Sequence, residues 1–228
     1  MSEPARQLHL PDFLLDALRK EYFAAVTSAE LCYEFSEGDE DSLTGALGQA
    51  LDPHLVRQVG TDEGERYEYR IFYHKIRGRG PKAPEKPLGA DGIFQLEVRS
   101  PDGELLQSKG LLFQSKKEWR GTDRSLAGQA ERIAHPPTKG IVIDYSASGY
   151  SAWPAAVVAA ARGNRRAIPE EDGSRLADVL GNQFTRCRMG LVGLRYDPDR
   201  EVLSDPTDEA ASLRDGAHVL TTLVSRVS

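Results

Sequence analysis

Three polar residues occupy positions where a β-hairpin would bring them together. Asp91 precedes one apolar stretch, Gln114 and Lys116 end the next, and Pro-Asp-Gly at 101–103 predicts a tight turn between them. Lys116 shares a face with Gln114 because side chains repeat every two residues along a strand. A carboxylate, an amide and an ammonium gathered at one end of a hairpin could hold a divalent cation and stabilise negative charge.

The turn leaves two registers open. If Asp102 and Gly103 form a two-residue loop, residue i faces residue 205 − i, and Asp91 lies opposite Gln114. If Pro101 instead starts a type I turn with Gly103 as a bulge, the register shifts by one, and Gly110 could restore it through a second bulge. In both registers Asp91 lies within about one residue of Gln114.

Hydrophobic periodicity and turn residues predict the elements that must position these groups. Phe94, Leu96 and Val98 would face the core, and a Pro/Gly-rich loop would span residues 78–89. The predicted helices are 11–35, 40–51, 125–134, 154–161 and 175–188, and the predicted strands are 67–73, 92–99, 104–117, 140–145 and 191–196. The order indicates an α/β fold with a mixed β-sheet, a central hairpin and flanking helices.

Composition limits the classes of protein. The chain has 228 residues, enough for one domain over 1–228. No apolar run approaches about 18 residues and the N-terminus lacks a secretory pattern, so we expect a soluble cytoplasmic protein without membrane contact. Two cysteines are too few for a thiolate zinc site. The sequence has no pair of histidines at i, i+4 spacing, which argues against a His-based zinc site, and no phosphate-binding GxxxxGK(S/T) loop, which argues against an ATPase. It has no complete nucleophile elbow, which argues against a serine hydrolase.

Asp91, the hairpin and the Gln114-Ser115-Lys116 sequence resemble the PD-(D/E)xK nuclease superfamily in its Gln-x-Lys variant, which occurs in Mrr-like and anti-phage defence nucleases. The resemblance covers about residues 37–160 and implies a restriction endonuclease-like core, followed by a C-terminal extension, 163–228, of unknown role. Two departures are that Ala90 replaces the proline and that Gln114 replaces the usual glutamate.

The resemblance implies a DNA endonuclease that uses Mg²⁺, with Mn²⁺ as a substitute. Asp91, Gln114 and the backbone carbonyl of Ser115 would bind the metal, and Lys116 would act on the nucleophile and the transition state. Because Gln114 carries no charge, a second carboxylate is needed. The superfamily takes it from an N-terminal helix, where Glu40 is the candidate because it shares a helix stripe with Leu43, Leu47 and Leu51 and so should point inward. The other interpretation is an acid favoured at the start of a helix.

Further residues are candidates for DNA contact. Gln129 matches a Gln-Ala pattern of these nucleases, although an exposed helical glutamine is the alternative. Tyr150 and Trp153 could stack on bases or pack in the core. Four basic residues could bind DNA phosphates, or they could simply form a solvent-exposed charged face. They are Arg77, Arg79, Lys82 and Lys117.

The net charge of −6 disfavours a protein that coats nucleic acid. We therefore expect targeting by a partner, such as a helicase, ATPase or sensor subunit, or by homo-oligomerisation. The resemblance implies a bacterial anti-phage or restriction role. The alternative function is a non-catalytic nuclease-fold subunit that acts as an interaction or nucleic-acid-binding module.

Overall fold

The structure is a computed structural model that describes residues 8–36, 38–61, 64–76, 89–208, 211–213 and 216–227. Its helices are α1 Asp12–Leu31, α2 Tyr33–Ser36, α3 Glu40–Leu51, α4 Arg124–Ile133, α5 Ala155–Ala160 and α6 Leu176–Asp178. Short 3₁₀ turns cover Arg165–Ala167 and Glu170–Asp172, and a π-helical segment, Val179–Phe184, continues α6. None of the helices among the described residues is both long and apolar enough to cross a membrane.

A mixed, mostly open sheet runs through the molecule. Its strands are β1 Arg57–Gly60, β2 Arg66–Lys75, β3 Gly92–Arg99, β4 Leu105–Lys117, β5 Gly140–Ser146, β6 Gly149–Pro154, β7 Ser174–Arg175, β8 Leu191–Val192 and β11 His218–Val227. The order is β1-β2-β11-β3-β4-β5-β6-β7, with β8 beside β4. The β11–β3 and β4–β5 pairs are parallel, whereas the β3–β4 hairpin is antiparallel. A separate pair, β9 Arg195–Asp197 and β10 Val202–Ser204, lies off this sheet.

Both faces of the sheet are covered. Phe94 and Leu96 pack with α1 and α3 on one face, as the alternation in β3 predicts. Ile93 and Leu112 pack with α4, α5 and the β9–β10 pair on the other. The hairpin is therefore buried on both sides, and the predicted α/β architecture of a mixed sheet flanked by helices is confirmed at that level.

The hairpin follows the second of the two predicted turn geometries, and the two-residue loop at Asp102 and Gly103 is not formed. Ser100 and Glu104 face each other across a type I turn, and Gly103 has φ of +87°, which glycine adopts without strain. The register then shifts between Val98 and Arg99, so that Gly92 pairs with Phe113 and residue i faces 205 − i from 92 to 98. The second bulge was expected at Gly110, but it lies at Leu106.

The C-terminal part of the chain is less regular than expected, apart from its last strand. The helix predicted for 175–188 is a short α6 followed by a π-helical segment, and the strand predicted for 191–196 is divided between β8 and β9. β6 was not predicted as a strand. Within residues 163–228, β11 lies at the centre of the sheet between β2 and β3.

Gly92 allows β11 to approach β3 closely. A Cβ atom on Gly92 would lie 2.2 Å from the backbone oxygen of His218 and 2.5 Å from the Phe113 ring. We expect Gly92→Ala to lower the free energy of unfolding by about 3 kcal/mol, since neither the backbone nor the buried ring can move aside cheaply. Urea denaturation measures this change.

Gly128→Ala is the matched control, because nothing lies within 4 Å of the added methyl group in α4. This helical substitution should leave stability unchanged or raise it by about 0.5–1 kcal/mol. Equal stabilities of the two variants would contradict the close approach of β11 to β3.

Candidate functional site

A pocket of about 250 Å³ opens in the middle of the sheet, at the end of the strands where β3 begins and β4 ends. Its lining residues come from α3, from the start of β3 and β11, from the end of β4 and from α4. They are Asp39, Glu40, Asp41, Asp91, Gln114, Ser115, Lys116, Gln129 and His218. The pocket thus contains every residue that the sequence assigned to catalysis.

Asp91 and Gln114 make direct contact, as the register predicts. Both residues are 4 % exposed, and Gln114 Nε2 donates to Asp91 Oδ2 at 2.5 Å. The same carboxylate oxygen accepts hydrogen bonds from the backbone nitrogen and the hydroxyl of Ser115, each at 2.7 Å. These three bonds fix the Asp91 carboxylate at the pocket wall, a role for the Ser115 hydroxyl that the sequence did not suggest.

The amide oxygen of Gln114 is the unusual atom of the site. It is buried and has no hydrogen-bond partner among the described residues, and the same holds for Oε1 of Gln129. A buried acceptor without a partner costs free energy of about 1–3 kcal/mol, so such atoms commonly mark an ion or water site. Both glutamines line the pocket, together with the carboxylates of α3 and Asp91.

Helix α3 places its acids at the pocket. It begins at Glu40, as predicted, and Asp39 caps it by accepting from the Ser42 backbone nitrogen at 2.7 Å. Leu43 and Leu47 on the Glu40 stripe are fully buried, so this stripe faces the sheet. Glu40 lines the pocket as expected.

Asp41 and His218 were not identified from the sequence. His218 Nε2 lies 2.9 Å from Asp41 Oδ1, and Nδ1 lies 2.9 Å from the Tyr73 hydroxyl. Lys75 also pairs with Asp41, and its hydrogen bond lowers the pKa of that carboxyl. Burial lowers the pKa of His218 against the opposing effect of Asp41, which favours a neutral ring that donates to Asp41 and accepts from Tyr73.

The His218 backbone also connects to the hairpin, since its nitrogen donates to the Asp91 carbonyl at 2.8 Å. The start of β11 therefore holds α3 and β3 together at the pocket. Residues 218–227 do carry a strand signal, a run rich in valine, leucine and threonine after Gly216, from which β11 could have been predicted.

Lys116 lines the pocket and pairs with Asp123, with 3.0 Å between Nζ and Oδ2. Asp123 also caps α4 by accepting from the Leu126 backbone nitrogen at 2.9 Å. The lysine is thus tied to the start of the same helix that carries Gln129.

Other predicted contact residues lie elsewhere. Lys117 ends β4 and is not among the residues that line the pocket. Arg77, Arg79 and Lys82 lie outside the described residues.

The two aromatic candidates are part of the core. Tyr150 and Trp153 are 1 % and 3 % exposed. The Tyr150 hydroxyl donates to the Ala29 carbonyl, and Trp153 packs edge-on against Trp119. The packing interpretation of these residues is confirmed, and base stacking by them is excluded by their burial.

The donor set decides what kind of ion the pocket suits. Among the residues that the structure describes, no three His, Cys, Asp or Glu side chains form a metal-binding group by themselves. An ion held here needs neutral oxygens as well, and the unpartnered Gln114 oxygen is one. Carboxylate and amide oxygens without thiolates fit a hard cation such as Mg²⁺ or Mn²⁺.

Searches of protein families, curated proteins and solved structures find no match to this chain.

Asp144, the β5 neighbour of Lys116, gives a pH-dependent prediction. Burial raises its pKa from 3.8 to about 6, although its Oδ1 accepts from the Trp119 backbone nitrogen. The neutral acid is favoured in the folded protein, so its contribution to stability is present at low pH and is lost as pH rises through 6. Asp144→Asn keeps an acceptor oxygen but cannot ionise. We expect its free energy of unfolding near pH 8 to be about 1–3 kcal/mol higher than that of wild type.

Urea denaturation of both proteins across the pH range measures the effect. The two stabilities should converge below about pH 3, where the carboxyl is protonated in both the folded and the unfolded state. A difference that stayed constant with pH would contradict the assignment of a raised pKa to Asp144.

Proposed function

We propose that the pocket is the active site of a metal-dependent DNA endonuclease. The observation that carries the proposal is the buried amide oxygen of Gln114, which has no hydrogen-bond partner in the described part of the chain, in a pocket shared with Asp91, Glu40 and Lys116. Hard oxygen donors beside an ammonium group are what hydrolysis of a phosphodiester requires.

The metal ligands would be the carboxylates of Asp91 and Glu40, the amide oxygen of Gln114 and the backbone carbonyl of Ser115. Mg²⁺, when bound, would stabilise negative charge on the phosphoryl oxygens and favour ionisation of the attacking water. Ser115 and Gln114 hold the Asp91 carboxylate in place through hydrogen bonds, so the site is ordered before any ion binds.

Lys116 would hold the attacking water and offset charge in the transition state. Its pairing with Asp123 orients the ammonium group. The ion pair is half-buried, with side-chain exposures of 23 % and 30 %. A phosphate that entered the pocket would meet a cation already directed by α4.

The finer fold assignment belongs to the same proposal. The order α3, β2, β3–β4 hairpin, α4 and β5 is similar to the restriction endonuclease-like core, with the hairpin carrying Asp91, Gln114 and Lys116. A role in anti-phage defence or restriction follows from that resemblance. A helicase, ATPase or sensor subunit, or another copy of the chain, would then direct the nuclease to its DNA.

Loss of the Asp91 carboxylate tests the activity. Asp91→Asn keeps the size of the side chain but removes the charge that would attract the ion, so plasmid nicking in Mg²⁺ or Mn²⁺ should fall on the order of a hundredfold. Lys116→Gln should cause a loss of similar size. Gel analysis of supercoiled plasmid measures both rates.

Asp102→Asn, at the exposed far end of the same hairpin, is the control and should nick at the wild-type rate. Nicking that survives Asp91→Asn and Lys116→Gln would refute the active-site assignment. A wild-type protein that neither nicks DNA nor binds Mn²⁺ would favour the non-catalytic nuclease-fold subunit.

Gln114→Glu tests the metal site without any substrate. The new carboxylate would face Asp91 Oδ2 across the present 2.5 Å contact, so we expect the metal-free variant to unfold at a lower temperature than wild type. Mn²⁺ should remove that deficit, because a cation between two carboxylates replaces repulsion by attraction. Thermal unfolding and calorimetric titration with Mn²⁺ measure the two effects.

The expected affinity of Gln114→Glu for Mn²⁺ is on the order of tenfold above that of wild type. A variant that is destabilised equally with and without Mn²⁺ would contradict metal binding between Asp91 and residue 114.

A further inference from the structure

A groove between α4 and α5 carries exposed positive charge, and helix α4 contributes residues both to this groove and to the pocket. We define the α4–α5 groove by its lining residues, which are Thr122, Arg124, Ala127, Ala161, Arg162 and Asn164. Arg124 and Arg162 are exposed, and neither forms an ion pair with a described residue. Some arginines elsewhere, such as Arg99 and Arg175, are paired with acids.

Exposed arginines without an acidic partner among the described residues are notable in a chain whose net charge is −6. The carboxylate next to Arg124 in sequence, Asp123, is already engaged by Lys116 and by the Leu126 backbone nitrogen. Arg166, in the following 3₁₀ turn, is likewise exposed and forms no ion pair within the described ranges. One acid, Glu131, lines the adjoining cavity along the same helices. The groove itself therefore presents cations to solvent.

Helix α4 connects the groove to the pocket. Its Leu126, Ala130 and Ile133 are fully buried against the sheet. Gln129 lines the pocket, whereas Arg124 and Ala127 line the groove. Arg124 and Gln129 are five residues apart, about 8 Å along the helix axis.

The groove walls are held rigidly. Gly163 accepts a hydrogen bond from the Asp123 backbone nitrogen at 3.0 Å, and Thr122 and Asn164 form an isolated β-bridge. A Cβ atom on Gly163 would lie 2.0 Å from the Asp123 oxygen, so the end of α5 contacts the start of α4 at backbone distance. Arg162, which precedes Gly163, has φ of +52°, a left-handed conformation.

We propose that the α4–α5 groove binds the phosphate backbone of DNA, with Arg124 and Arg162 contacting phosphates that flank the bond that is cut. This inference rests on the proposed nuclease function. The alanines between the arginines leave room for a backbone to approach, and guanidinium groups bind phosphate oxygens in a bidentate manner. The site differs from the basic residues that the sequence suggested, Arg77, Arg79 and Lys82.

The test is DNA binding in EDTA, where no metal-dependent cleavage can occur. Fluorescence anisotropy with a labelled DNA duplex compares wild type, the double variant Arg124→Gln/Arg162→Gln and the charge-retaining double variant Arg124→Lys/Arg162→Lys. We expect the glutamine variant to bind on the order of tenfold more weakly at moderate salt and the lysine variant to retain most of the affinity. The salt dependence should also decrease, by about one unit of log–log slope for each phosphate that the glutamine variant no longer binds.

Arg66→Gln is the matched control. Arg66 is also exposed and forms no ion pair with a described residue. It lies opposite Val227 in the strand register, at the end of β11 that is far from the pocket. Val227 is nine residues from His218, about 30 Å along the strand. This variant should bind like wild type.

Unchanged affinity and salt slope in the glutamine variant, or a wild type that does not bind the duplex, would overturn the groove assignment. Plasmid nicking by the Arg124→Gln/Arg162→Gln variant at high protein concentration separates the two proposals. If the glutamine variant binds DNA weakly but still nicks plasmid in a metal-dependent manner, both proposals are supported. If wild type binds DNA through the groove but does not nick it, the groove proposal is supported and the nuclease proposal is contradicted.

Discussion

The hydrogen bonds that hold the Asp91 carboxylate against Gln114 and Ser115 are the interaction on which the site depends. A carboxylate that is 4 % exposed is costly unless its oxygens are paired. Two residues of β4 supply donors to it, and they reach it only in the observed register. The same arrangement leaves the Gln114 oxygen without a partner among the described residues. Satisfying the carboxylate thus creates the unsatisfied acceptor beside it.

The surrounding elements serve to keep this arrangement at the end of the strands where β3 begins and β4 ends. The backbone nitrogen of His218 donates to the Asp91 carbonyl, while the His218 ring joins Asp41 to Tyr73. One residue therefore connects α3, β2, β3 and β11. On the other side, Asp123 links Lys116 to the start of α4. The pocket lies where these two sets of contacts meet.

The hairpin shows what sequence reasoning could resolve. Pro-Asp-Gly and the apolar alternation were sufficient to place β3 and most of β4, and both turn geometries left Asp91 near Gln114. The position of the second bulge, at Leu106 instead of Gly110, could not be predicted, because an exposed residue in a bulge near the turn has no strong sequence signature. Helix α3 was predictable to the residue because capping, leucine spacing and Pro53 all agreed.

Long-range pairings were beyond the sequence. Nothing local indicates that residues 218–227 insert between β2 and β3, and without that pairing His218 has no reason to be placed near Asp41. The π-helical segment after α6 likewise follows tertiary contacts instead of helix propensity. Asp41 and His218 were therefore missed, because they meet only through contacts between distant parts of the chain. Asp91, Gln114 and Lys116 were identified, because one hairpin brings them together.

The central claim is that a divalent cation binds between Asp91 and Gln114. Crystals grown with Mn²⁺ and measured near the manganese absorption edge would show the ion directly by its anomalous scattering. The account predicts one strong peak within ligand distance, about 2.2 Å, of an Asp91 carboxylate oxygen and the Gln114 amide oxygen. A map without a peak there, with Gln114 Oε1 bonded to a water or to the protein, would contradict it.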